Sequence, residues 1–244
     1  MMNRPDPEAI KERYDYVKRR ISYACTHAER AVQEITLIAV SKTFSDSYIR
    51  VLYDLGHRDF GENKVQELVT KSDSFQHQPD YNGIRWHMIG HLQRNKTREV
   101  IGISGLFHSL DSLRLAKELD KRAEQAKTQQ QCLVQVNISG EDSKYGVAPE
   151  DLHPFLSATS GFEHLVIKGL MGMARLTDNP EEVRSEFAML RNLSSAFSGS
   201  LGDQGSLDFF SMGMSHDFEV AIEEGATHIR LGSAIFGERA YTNQ

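Results

Sequence analysis

The stretch Ile35–Lys42 reads ITLIAVSK. It is short, aliphatic and β-branched, with little polar alternation, which is the pattern of a strand buried on both faces. The segment after it is helical. Ser45-Asp46 starts a helix that carries Ile49, Leu52 and Tyr53, and Gly56 closes it. The segment before it is a long helix: Asp6 can cap it, Pro7 suits its first position, and Ile10, Tyr14, Val17, Ile21, Ala24 and Ala28 form one apolar stripe.

The strand–helix unit then repeats down the chain. Further strands are predicted at Arg58–Gly61, Arg85–Gly90, Leu106–Leu110, Cys132–Ile138, Leu165–Met171, Leu207–Met212 and His228–Leu231. Between them lie helices starting near Asn63, over Asn95–Ile101, Ser112–Gln125 and Pro149–Ser160, from Asn179-Pro180 onward, and over Asp217–Glu224. A last helical piece covers Ala234–Arg239. Strands that alternate with helices pair in parallel through right-handed crossovers. Eight of them close a barrel, so the expected fold is α/β, a single (β/α)8 TIM-type barrel with an extra N-terminal helix. An open doubly wound sheet has the same local pattern and stays open as an alternative.

Bulk properties narrow the class. The 244 residues suit one such barrel of about 250 residues, and residues 1–244 are expected to form one domain, with Gly199–Gly205 a loop and not a boundary. The formal charge is −6 with both signs interspersed, so no basic face points to nucleic acid. No apolar run reaches the roughly 20 residues that cross a bilayer, and the N-terminus lacks a secretory apolar segment. Cys25 and Cys132 are too few to staple a chain of this size and read as buried core in a reducing, cytoplasmic protein.

The residues with chemistry sit where strands end. Lys42 closes the first strand, on the side that forms the functional mouth of such barrels. Partial desolvation there would make its amine a nucleophile toward an aldehyde; a lysine at a strand end can equally snorkel to solvent. The loops after strands seven and eight often build a phosphate site. Here they carry Gly213, Ser215, Gly232 and Ser233. The glycines would let backbone N–H groups approach an anion, the serines would add hydroxyls, and the helix near Asp217 would add its positive end. Asp217 itself reads as a helix cap. When the barrel closes, that cup and Lys42 become neighbours, and a phosphate-bearing aldehyde is the simplest ligand for both. Arg230, two residues before Gly232, can face a pyridine nitrogen, or pair with an acid such as Glu224. His87 and His91 are four apart, but a strand and Gly90 separate them, so no metal site is expected. Asn63 and Lys64 fall at the mouth after strand two and Lys144 in the loop after strand five; solvation is the simpler reading of the two lysines.

Several segments together carry a resemblance: AVSKT (Ala39–Thr43), FGEN (Phe60–Asn63), WHMIGHLQRNK (Trp86–Lys96), SLD (Ser109–Asp111), VNISGEDSKYGV (Val136–Val147), GLMGMA (Gly169–Ala174) and the long SMGMSHDFEVAIEEGATHIRLGSAIFG (Ser211–Gly237). The sequence resembles the YggS/PROSC family of pyridoxal phosphate homeostasis proteins over nearly its whole length. That family is similar to the N-terminal barrel of alanine racemases. The resemblance implies pyridoxal 5′-phosphate (PLP) held as a Schiff base on Lys42. It implies phosphate contacts from Ser215, Gly232 and Ser233, a ring-side Arg230, and pocket positions for Asn63 and Met212. His91 is a variation within the motif. The implied role is PLP homeostasis, by carrying or buffering the cofactor, with apo PLP-dependent enzymes as partners and effects on amino-acid and keto-acid balance. No residue is assigned a catalytic role.

The alternative is a PLP-dependent amino-acid racemase, which needs acid–base groups on both faces of the substrate. Related racemases draw one from a second, β-rich domain, and a chain ending at Gln244 leaves no room for it; a monomer is expected. A barrel for a phosphosugar aldehyde would explain Lys42 and the cup but not Arg230.

Overall fold

In a computed structural model, residues 5–141, 144–202 and 205–238 are described. Their strands are β1 (Thr36–Val40), β2 (Asp59–Glu62), β3 (Arg85–Met88), β4 (Ser104–Leu110), β5 (Gln130–Val136), β6 (Leu165–Gly172), β7 (Gly205–Ser211) and β8 (His228–Leu231). Each pairs in parallel with the next, and β8 pairs with β1, so the sheet closes into a barrel. The open-sheet alternative is thereby excluded. The principal helices are α1 (Pro7–His27), α2 (Asp46–Asp54), α3 (Val65–Gln76), α4 (Thr97–Val100), α5 (Leu113–Gln125), α6 (Leu152–Thr159), α7 (Arg184–Phe197), α8 (Phe218–Glu223) and α9 (Ser233–Phe236). No described helix is long and apolar enough to cross a membrane.

Strand side chains alternate between the helical shell and the barrel interior. Ala39, Phe60, Trp86, Met88, Phe107, Val134, Leu170, Ile229 and Leu231 belong to the main apolar cluster shared with the helices. The alternate positions face inward. There Leu106, Leu133 and Met171 form a small separate cluster with Met173 and Phe209, and His87, His108, Ser211 and Arg230 form a buried polar group. Gly61 makes room for this packing, since a Cβ on it would lie 2.8 Å from Ile38 Cγ2. The same parity carries Lys42 inward after Ile38 and Val40, and Asn63 inward after Gly61.

Helix α1 lies over the place where the barrel closes. Asp6 accepts from Ala9 N at 3.2 Å, as the sequence suggests, and Ile10, Tyr14, Val17, Ile21 and Ala24 are buried. Its arginines fasten it to the last two strand–helix units. Arg13 donates to Ile235 O (2.9 Å), and Arg20 grips Glu219 through two bonds of 2.5 and 2.6 Å. Arg30, just past the helix, donates to Ile222 O and Ala226 O, both at 2.8 Å.

Element ends differ from the sequence reading in local ways. The helix after β2 starts at Val65 and not near Asn63, because Lys64 is extended (φ −124°, ψ 132°). The Asn179-Pro180 start opens as a 3-10 turn, Pro180–Val183, before α7. The last helix ends at Phe236, where Gly237 turns to φ +87°; Arg239 lies outside the described residues, as do residues 203–204 of the Gly199–Gly205 loop. Cys25 and Cys132 are free and buried.

The β6–β7 pairing depends on one close approach. A Cβ on Gly169 would lie 1.9 Å from Phe209 O, its partner across the pair. Gly169→Ala is expected to destabilise the protein by about 1–3 kcal/mol, since the strands must separate to admit it. Gly105→Ala, whose Cβ would lie an ordinary 3.7 Å from Trp86 O, should stay within about 0.5 kcal/mol of the parent. Urea unfolding midpoints of the two variants check the contrast.

Candidate functional site at the barrel mouth

One cavity of about 640 Å³ opens at the C-terminal ends of the strands. Six of the residues singled out from sequence line it: Lys42, Asn63, Ser215, Arg230, Gly232 and Ser233.

Lys42 stands on a tight turn that is braced from outside. Phe44 N donates to Ser41 O (3.0 Å), which folds the chain back around Lys42 and Thr43. Thr43 has φ +68°, a conformation that β-branched residues rarely adopt. Strain of this kind persists only where surroundings hold it, and here a buried charge cluster does. Thr43 N donates to Glu67 Oε2 at 2.5 Å. Lys71 Nζ donates to Ser41 O (2.8 Å) and Glu62 Oε1 (2.7 Å), and it lies 3.4 Å from Glu67 Oε2. Ser41 Oγ adds a 2.6 Å bond to Glu62 Oε1. Glu62 is fully buried and Lys71 nearly so. Burial pushes the Glu62 carboxyl up, against the pull of Lys71. For Glu67 burial is outweighed by the Thr43 bond and the Lys71 charge, which hold its carboxyl below the usual range. Both peptide groups flanking Lys42 are thus tied to α3. Sequence reasoning passed over Glu62, Glu67 and Lys71; the signal was present in ENKVQELVTK, with Glu67 and Lys71 one helical turn apart.

Across the mouth, the loops after β7 and β8 bring two serines together. Ser215 Oγ accepts from Ser233 Oγ and from Ala234 N, both at 3.3 Å. Two expectations about these loops need correction. Gly213 does not line the cavity. It has φ +91°, a Cβ on it would sit 2.7 Å from Ala221 Cβ, and so it exists to seat α8. Asp217 does not cap α8 with its side chain. Its Oδ1 accepts from Met214 N at 2.6 Å and so closes the Met214–Asp217 loop. Burial pushes the Asp217 carboxyl up, with the Met214 bond and Arg230 opposing.

Arg230 forms the floor and is 4% exposed. It donates to Ser211 Oγ (2.6 Å) and Gly172 O (3.1 Å). It does not pair with Glu224, whose carboxylate is taken by Arg184 (3.0 Å) and Arg191 (3.3 Å). Burial lowers the Arg230 pKa to about 10, with Asp217 opposing, so the guanidinium remains charged at neutral pH.

Asn63 presents a buried Oδ1 that has no hydrogen-bond partner among the described residues. Its backbone is pressed by Gly90, where a Cβ would lie 2.2 Å from Asn63 O. Met212 differs from the other six. It is fully buried in the main apolar cluster and does not line the cavity. It comes directly after the inward-facing Ser211 and so takes the opposite side of the strand.

His87 and His91 go separate ways: His87 Nδ1 meets His108 Nε2 at 3.0 Å inside the barrel, while His91 meets Asp111 (2.9 Å) and stacks on Tyr145 at 4.1 Å on the cavity wall. His91 therefore lines the cavity, although the sequence reads it as a variation within the motif. Lys64 is exposed; Lys144 pairs with Glu141 and donates to Ala174 O at 3.1 Å.

A single closed barrel with an inward lysine after β1 and a serine-lined cup after β7 and β8 defines the class of the alanine racemase N-terminal domain, and that family matches residues 9–240. The pyridoxal phosphate homeostasis protein of Aquifex aeolicus (strain VF5) is 41% identical, over 94% of this chain and 98% of its own length. That of Escherichia coli (strain K12) is 40% identical, over 93% and 96%. PipY of Synechococcus elongatus PCC7942, solved with PLP bound, superposes with a TM-score of 0.77 at 33% identity, covering 91% of this chain and all of that one. The chain belongs to the pyridoxal phosphate homeostasis protein family.

The brace behind Lys42 is testable by itself. Lys71→Met strands the Glu62 carboxylate in the interior and is expected to cost about 3–5 kcal/mol of stability. Glu62→Met together with Lys71→Met should recover part of that loss. Chemical unfolding of the single and double variants measures it.

Proposed function

We propose that this protein holds PLP as a Schiff base on Lys42 and serves in PLP homeostasis as a carrier or regulator of the cofactor. The observation that carries the reading is convergence. An inward lysine, two bonded serines, a buried charged arginine and an unsatisfied Asn63 oxygen share one cavity. The donor set fits the group. Ser215 and Ser233 supply hydroxyls for a phosphate, with Ala234 N beside them. Arg230 supplies a permanent donor for the ring nitrogen, and the orphaned Asn63 Oδ1 asks for a donor from a ligand. PLP supplies an aldehyde that condenses reversibly with an amine.

Residues 1–244 act, in this reading, as one PLP-binding barrel domain. The same reading makes the protein monomeric and cytoplasmic, consistent with two buried thiols and no disulfide among the described residues. Apo PLP-dependent enzymes are its partners, and its action affects amino-acid and keto-acid balance. The named relatives support the role. Racemase-type turnover is the second reading, because His91 and Tyr145 also line the cavity as a stacked pair that could exchange protons.

Lys42→Ala should abolish the visible band that PLP gives with the parent protein while thermal unfolding remains cooperative. Ser215→Ala should weaken PLP binding by about 1–3 kcal/mol, the worth of a charge-assisted hydrogen bond. Unchanged affinity would remove Ser215 from the site. Incubation with L-alanine should give no racemisation beyond that of free PLP; sustained turnover would favour the second reading.

A further inference from the structure

Arg230 is the end of a longer chain of bonds. Its Nη1 donates to Ser211 Oγ at 2.6 Å. Ser211 Oγ lies 2.8 Å from His108 Nδ1, and His108 Nε2 lies 3.0 Å from His87 Nδ1. His87 Nε2 lies 3.2 Å from Asp59 Oδ1. Asp59 is gripped in turn by Arg85, through Nε at 2.7 Å and Nη2 at 2.5 Å. Asp59 and Arg85 are the first residues of β2 and β3, at the end of the barrel away from the cavity. Ser211, His108, His87 and Asp59 are all less than 9% exposed. The series crosses the interior from the closed end to the floor of the mouth.

One polarity satisfies every link from end to end. An ionised carboxylate only accepts, so His87 Nε2 carries a proton and donates to Asp59. Although burial opposes it, the bonds from His87 and Arg85 hold the Asp59 carboxyl well below the usual range. At the other end a guanidinium only donates, so Ser211 Oγ accepts from Arg230 and has its own hydrogen left to give. Complete burial holds His108 far below the ordinary imidazole range, so it is neutral. With Nδ1 accepting from Ser211, its Nε2–H donates to His87 Nδ1. Every link then points the same way, with no donor facing a donor. His228 packs beside this series, ring centroids 6.1 Å from His108, but bonds to Thr227 Oγ1 and not to the relay.

We infer that Asp59, His87, His108 and Ser211 form a one-directional hydrogen-bond relay whose purpose is to position the Arg230 guanidinium as a fixed donor to the ligand ring in the cavity. These four are positioning residues, and the inference rests on the reading that Arg230 meets the PLP ring nitrogen. The relay gives Arg230 Nη1 a partner whose acceptor lone pair is always available, because the serine hydrogen is committed to His108. Without His108, the serine hydroxyl is free to rotate and the guanidinium loses its fixed seat.

The test is the pyridine ¹⁵N resonance of labelled PLP bound to the parent protein and to His108→Leu, His108→Gln, Ser211→Ala and Arg230→Ala. The expected result is that His108→Leu and Ser211→Ala both move the resonance toward its position in Arg230→Ala. They should also weaken PLP binding about three- to tenfold, the loss of one net hydrogen bond. His108→Gln, whose amide can both accept and donate, should restore the parent resonance. If His108→Leu does not fold, Ser211→Ala, which removes a single atom, carries the test. A parent-like resonance in Ser211→Ala or in folded His108→Leu would overturn the relay and leave it as packing. A parent resonance identical to that of Arg230→Ala would instead show that Arg230 does not meet the ring, and both the relay and the ring-side assignment of Arg230 would fall.

Discussion

Everything at the mouth depends on the seam between β8 and β1. Four pairs hold it in register, from Thr36 with His228 to Ala39 with Leu231. This single register sets Ile38 beside Arg230 and carries Lys42 and Gly232 forward to the same rim. A slip of one residue would reverse the side-chain parity. Lys42 and Arg230 would then no longer share the interior. The arginines of α1 and its C-terminal flank, by tying the first helix to the last two strand–helix units, protect that register from the outside.

The interior shows where apolar packing has been given up. Barrels of this type are usually filled with layers of branched aliphatic residues. Here Leu106, Leu133 and Met171 fill one part, and a polar series from Asp59 to Arg230 fills another. Burying charges at both ends of such a series costs several kcal/mol per ion before compensation. Each group in it is bonded, and the Arg85–Asp59 pair neutralises the closed end. The polar series lies under the cavity floor, and the strained Thr43 with its buried Lys71–Glu62 brace lies behind Lys42. The site is therefore built from two rigid supports reaching it from different sides.

Much of this was legible in the sequence. The strand–helix alternation marked eight units, and the count implied closure. Lys42, Ser215, Ser233 and Arg230 could be placed at one mouth because their strand ends could be located. Period-two alternation could also have excluded Met212, since it comes directly after the inward Ser211. Beyond the Glu67–Lys71 spacing, the brace and the relay were hidden for a physical reason. Their members, such as Glu67 with Thr43 or His108 with Ser211, lie far apart in the chain and meet only after closure. Asp217 was misread because a carboxylate at a helix start usually caps that helix, whereas here the Met214 N–H, three residues earlier, takes it.

Attachment of the cofactor to one lysine at the end of β1 is the proposal on which the site rests. Its most direct measurement is borohydride reduction of the protein loaded with PLP, followed by peptide mapping. A visible absorbance band is expected before reduction and a single pyridoxyl group on Lys42 afterwards. Absence of the band with saturating PLP, or the label on another lysine such as Lys64 or Lys144, would contradict it.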